Sequence, residues 1–157
     1  MNLYTFGYEG LALEAFIARL KKVGIRQIID VRELPLSRKK GFSKSALSAT
    51  LIANGIEYVS MTALGCPKPI RQRFKLDSDW RAYERNFCGY LTTQAKAVRL
   101  LARSAQEKTT CLLCFEADYN MCHRSLVARA ALANGAPRLM HLTAETEIAD
   151  VPRRAAA

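Results

Sequence analysis

Apolar positions along this chain fall into two rhythms: short runs of strand length, and longer stretches in which apolar residues return every three or four positions. Leu3 to Phe6 is the first run; it stops at Gly7-Tyr8-Glu9-Gly10, and Leu13, Phe16, Ile17 and Leu20 then recur at helical spacing up to Gly24. That pattern predicts a strand, a glycine turn and a helix. Ile25 to Val31 predicts a second strand, Ser43 to Asn54 a helix capped by Ser43 or Ser45, and Ile56 to Met61 a third strand. Between Ala63 and Asp79 no period is sustained, and two prolines and four basic residues predict a long connection, functional or mobile. Trp80 to Gln94, capped by Ser78 or Asp79, reads as a helix whose stripe of Tyr83, Phe87, Tyr90 and Leu91 belongs to the core, and a further helix spans Ala95 to Gln106.

The most informative stretch follows. Cys111 to Phe115 is an apolar strand, Glu116 to His123 a polar loop, and Arg124 opens an alanine-rich helix with Leu126, Val127 and Ala130 on one face. Arg138 to Leu142 predicts a last strand, and Val151 to Ala157 a disordered tail. Strands alternating with helices imply a three-layer α/β sandwich with a mostly parallel central sheet, Rossmann-like in its right-handed crossovers, as a single domain over residues 1–150.

Composition narrows the setting. At 157 residues the chain can bury roughly 70% of its unfolded surface without staples. No apolar run approaches the ~18 residues of a membrane span and no signal-peptide pattern opens the chain, so a soluble, cytoplasmic protein is expected. An odd number of cysteines, five, favours thiols over disulfides. A formal charge of +10 favours nucleic acid, nucleotides or other anionic partners, and serves solubility equally well.

In a parallel sheet the loops at the carboxyl ends of the strands bind ligands. Those ends carry Tyr8 and Glu9, Asp30 and Arg32, and Glu116 and Asp118, followed by His123 and Arg124 at a helix start. Carboxylates in one crevice can supply a general acid or base, and arginines can hold an anion. Glu116 is the preferred base, with Asp30, His123 and Glu9 as its candidate partners. Arg32, Arg124 and Tyr8 are candidates for substrate binding, joined by Arg38, Lys39 and Lys40 in a basic loop where Phe42 can stack a base. Each has a plain alternative: Asp30 pairs with Arg32, His123 packs at the helix start, the glycines form an ordinary turn, and the basic loop is solvated charge.

Two sulfur chemistries compete. A cysteine after a strand with an arginine at the next helix start, here Cys114 and Arg124, looks like cysteine-dependent phosphatases and rhodanese-type sulfurtransferases. Nine residues separate the pair where the phosphatase signature has five, and acidic neighbours raise a thiol pKa. Cys111-x-x-Cys114 and Cys122-His123 offer four nominal zinc ligands, but residues three apart on a strand point to opposite faces, so no metal is expected and Cys114 is expected to pack. The cofactor is left open.

The segments GYEG at Gly7 to Gly10, DVRELPLSRKKGFSK at Asp30 to Lys44, LGCPKPIR at Leu64 to Arg71 and CFEADYNMCHRS at Cys114 to Ser125 resemble, in order, a family catalogued as domain of unknown function 488. The resemblance implies a cytoplasmic α/β protein and brings no reaction with it. The residues therefore lead to an enzyme acting on a phosphate-bearing substrate, nucleic acid or nucleotide, by carboxylate acid/base chemistry. A non-enzymatic binding module is the first alternative, and cysteine-dependent chemistry the second.

Overall fold

The computed structural model describes residues 1–151. Its strands are β1 (Leu3–Gly7), β2 (Gln27–Asp30), β3 (Glu57–Ser60), β4 (Thr110–Cys114), β5 (Leu139–Leu142) and β6 (Glu147–Ala149), forming one sheet in the order β3-β2-β4-β1-β5-β6. Every pairing is parallel except β5 with β6. The helices are α1 (Leu13–Val23), α2 (Lys44–Ala53), α3 (Lys68–Asp77), α4 (Trp80–Thr92), α5 (Ala95–Glu107) and α6 (His123–Ala133).

Strand alternation divides the apolar residues between two cores. Tyr4, Phe6, Ile28, Cys111 and Leu113 pack with Phe16 and Leu20 of α1 and Leu47 and Leu51 of α2. Leu3, Ile29 and Leu112 point the other way, onto Phe87 of α4, Leu101 of α5 and Val127 and Ala128 of α6. The result is the three-layer α/β sandwich with a mostly parallel sheet that the alternating pattern predicts. Among the described residues no helix is long and apolar enough to cross a membrane.

This topology also opens a crevice at the carboxyl end of the sheet. β1 and β4 are neighbours, with Gly7 opposite Cys114, yet the helices that follow them lie on opposite faces of the sheet. The connections diverge, and a crevice opens between the carboxyl ends of the two strands.

The structure departs from the sequence-based expectation at three places. The stretch expected as a long connection contains α3, in which Ile70 and Phe74, four residues apart, pack toward Trp80 and Tyr83. Its prolines are misleading because Pro67 stands at the N-cap and Pro69 in the first turn, where a missing N–H costs nothing. A sixth strand, β6, follows the one expected to be last; three residues with one large apolar side chain carry too little alternation to be seen. Phe42 is fully buried, stacked on Tyr8 at 4.4 Å and set edge-on to Phe16, so it cannot stack a base. Of the tail expected to be disordered, residues 152–157 lie outside the described residues.

Candidate functional site

The loop between β4 and α6 is held against β1 by contacts that leave no slack. A methyl group on Gly7 would overlap the Glu116 carbonyl and come within 3.0 Å of Arg124 Nη1. Only glycine permits that approach. Arg124, in the first turn of α6, is completely buried beneath the loop, where Nη1 donates to the Glu116 carbonyl and Nη2 to the Ala117 carbonyl at 3.3 Å. On the other side Glu9 Oε1 accepts from the Ala117 N–H at 3.1 Å, and the Glu9 N–H donates to the Phe115 carbonyl at 2.8 Å. Arg124 and Glu9, candidates for anion binding and catalysis, thus clamp the loop that carries Glu116.

Asp30 and Arg32 form a buried fork. Arg32 donates from Nε to Asp30 Oδ1 at 2.9 Å and from Nη2 to Oδ2 at 2.7 Å, while the Arg32 N–H and the Tyr58 hydroxyl take up the remaining acceptor positions at 3.1 and 2.5 Å. Arg32 Nη1 reaches the Phe42 carbonyl at 2.7 Å and the Tyr8 hydroxyl at 3.2 Å. Each Asp30 oxygen has two donors, so the pair binds β2 to the following loop and leaves Asp30 no lone pair for a substrate proton. Tyr8 lines the cleft beside it, stacked on Phe42.

The cleft itself has a volume of about 690 Å³. Its floor is made of Cys114, Glu116, Cys122 and His123. Cys114 donates to Glu116 Oε2 at 3.0 Å, the Cys122 sulfur lies 3.3 Å from the same oxygen, and His123 Nδ1 lies 3.6 Å from the Cys114 sulfur and 4.0 Å from that of Cys122. The other ring nitrogen, Nε2, is 2.7 Å from the Val31 carbonyl, which can only accept; Nε2 therefore carries a proton. Phe87 meets the ring edge-on from the core. Cys114 does pack, as expected, but its sulfur faces the cleft, whereas Cys111 sits fully buried in the opposite core.

These groups perturb one another. Burial in the floor, then the charge on Cys122, pushes the Glu116 carboxyl up. Glu116 as a residue is open to solvent, but its Oε2 is turned inward onto the sulfurs. Burial pushes the Cys122 thiol up too, yet hydrogen bonds from Cys114 and His123 and the nearby Arg124 charge outweigh it and hold Cys122 low. Cys122 also stands at the N-cap of α6, where free N–H groups favour a thiolate. By contrast, burial pushes the Cys66 thiol to about 11, which makes it a packed, inert sulfur.

The walls differ in character. Arg38, Arg71 and Lys75 supply the charge, and Phe74, Trp80 and Phe115 the aromatic faces. The basic loop expected to act together is divided: Arg38 lines the cleft, Lys39 Nζ turns inward to the Tyr8 carbonyl at 3.3 Å and over the Phe42 ring, and Lys40 points to solvent outside it. Cys122, expected in this crevice from its place beside His123, lies on the floor, whereas Trp80 and Phe115 are not among the expected site residues: Trp80 reads as the start of a core helix and Phe115 as the end of a strand.

A search of curated proteins and a search of solved structures each find no match. A family model does match, over residues 12–131, which includes β2, β4, the β4–α6 loop and almost all of α6. The chain therefore belongs to the family described as domain of unknown function DUF488.

Proposed function

We propose that the protein is an enzyme acting on a phosphate-bearing ligand with a planar group, a nucleotide or an unpaired nucleotide of a nucleic acid, through acid/base chemistry centred on Glu116. One observation carries this reading: of the two carboxylates lining the cleft, Glu33 pairs with Arg71 at 3.4 Å, and Glu116 stands unpaired with any cation among the described residues, on the floor of a concavity with cationic and aromatic walls. Arg38, Arg71 and Lys75 would take the phosphates, and Trp80 or Phe115 the base, since stacking contributes roughly 1–3 kcal/mol per base without reading its identity. Glu116 then moves the proton. Arg32, Arg124, Asp30 and Glu9 hold the loops in place, and His123 steadies the floor through Val31.

The cysteine-dependent alternative loses its anion site, because Arg124 is buried beneath the loop and the Glu116 carboxyl stands over both sulfurs. The non-enzymatic alternative differs only in the absence of turnover.

Changing Arg38, Arg71 and Lys75 together to Gln tests the cationic wall. Binding of a short single-stranded oligonucleotide is expected to weaken, and the slope of log affinity against log salt to flatten by up to ~2 units, about 0.7 for each phosphate of a single strand that is no longer neutralised. Filter binding across a salt series reads both. Parent-like affinity and slope would assign these charges to solubility.

A further inference from the structure

The floor of the cleft joins residues from two elements whose sulfur and nitrogen atoms face one another. Cys114 ends β4, while Cys122 and His123 open α6, and their candidate ligand atoms all lie within 4.8 Å of one another. The geometry points to a metal site in which Cys114 Sγ, Cys122 Sγ and His123 Nδ1 hold a divalent transition-metal ion of the zinc type, with a fourth position open toward the cleft and Glu116 beside it.

Distances support the assignment. With bonds of about 2.3 Å to sulfur and about 2.0 Å to nitrogen, a tetrahedral ion separates its sulfur and nitrogen ligands by roughly 3.5 Å. The observed separations from His123 Nδ1 are 3.6 Å to Cys114 and 4.0 Å to Cys122, so small side-chain adjustments close the site. The histidine is also prepared in the way metal ligands are. Its Nε2–H is committed to the Val31 carbonyl, which fixes the ring and turns the Nδ1 lone pair toward the sulfurs. All three side chains are at most 6% exposed, a placement in which two thiolates are costly alone and balanced by a dication.

Ligand type selects the ion. Two thiolates and an imidazole suit zinc and exclude magnesium and calcium, which take oxygen. Ligand number selects the role: structural zinc sites are closed by four protein ligands, whereas three with an open position characterise catalytic ones. Cys111 cannot close the set, because it faces the opposite core. Glu116 stands outside the mutually close trio, with Oε2 3.0 and 3.3 Å from the two sulfurs. With an ion held there, Glu116 would be placed to accept a proton from a water at the open position.

The inference rests on the proposed function only for the cleft's being the active site; metal binding itself is measured without substrate. The metal-stripped full chain is titrated with zinc and with cobalt(II). A single equivalent is expected to bind, with the intense visible bands of tetrahedral cobalt and sulfur-to-cobalt charge transfer in the near ultraviolet. Zinc is expected to raise the thermal midpoint. It should also protect Cys114 and Cys122 from alkylation, read by mass spectrometry, while the exposed Cys88 reacts throughout. Cys122→Ser should lower affinity beyond the roughly 10–100-fold typical of outer-shell changes, and Cys66→Ser should leave it unchanged. The alkylation readout uses the parent chain, so it stands if Cys122→Ser fails to fold. Substoichiometric zinc, an octahedral cobalt spectrum, or alkylation of Cys114 and Cys122 indifferent to zinc would overturn the site. Nucleotides that fail to bind a protein holding its full equivalent of zinc would sink the proposed substrate and leave the metal site standing.

Discussion

Replacing Asp30 with Asn should lower stability by about 3–5 kcal/mol, the usual cost of removing one partner of a buried ion pair. Asp30 is entirely buried and its oxygens receive donors from the Arg32 side chain, the Arg32 backbone and Tyr58. The amide keeps the shape and loses the charge, so the Arg32 guanidinium, 6% exposed, is left without a counter-ion. One of its nitrogens must also face an NH₂ group in place of an acceptor. Tyr58→Phe, which removes a single donor from a half-buried ring, should cost only about 1 kcal/mol. Urea unfolding of the two variants measures the contrast. A stable Asp30→Asn protein that has lost only activity would return Asp30 to a catalytic role.

The second large effect falls on chemistry and not on folding. Glu116→Gln should reduce turnover of any nucleotide substrate by at least ~100-fold, the common contribution of a positioned acid or base. The Glu116 backbone, which Arg124 holds, is unchanged by this substitution, and its side chain lies in an open cleft, so the unfolding midpoint should stay near the parent's. Steady-state kinetics should show the loss in kcat with KM little altered, because the phosphate and base contacts lie on the walls. Undiminished turnover would remove Glu116 from the mechanism.

The alternation of apolar periods was enough to place β1 to β5 and most of the helices, because each strand end and helix face carries several residues of the right kind. α3 escaped because only Ile70 and Phe74 mark its buried side and prolines stand at its start, where they are harmless. Among the candidate site residues, the strand-loop-helix order is enough to bring Glu116 and His123 into one cleft. It could not separate a cleft-facing arginine from a clamping one: Arg124 sits at the helix start as expected, and only the close approach of Gly7 to Glu116 shows that the guanidinium lies beneath the loop. Spacing along β4 correctly parted Cys111 from Cys114. The approach of Cys114 to Cys122 and His123 depends on how the loop folds back, which no local period encodes.

The most direct test of the cleft as a nucleotide site is a crystal structure of the protein soaked with nucleotides and short single-stranded oligonucleotides. Density is expected for a base against Trp80 or Phe115, for a phosphate among Arg38, Arg71 and Lys75, and for a ligand atom within hydrogen-bond reach of Glu116 Oε1 or Oε2. An occupied ligand elsewhere on the basic surface, with this cleft left to solvent, would contradict it.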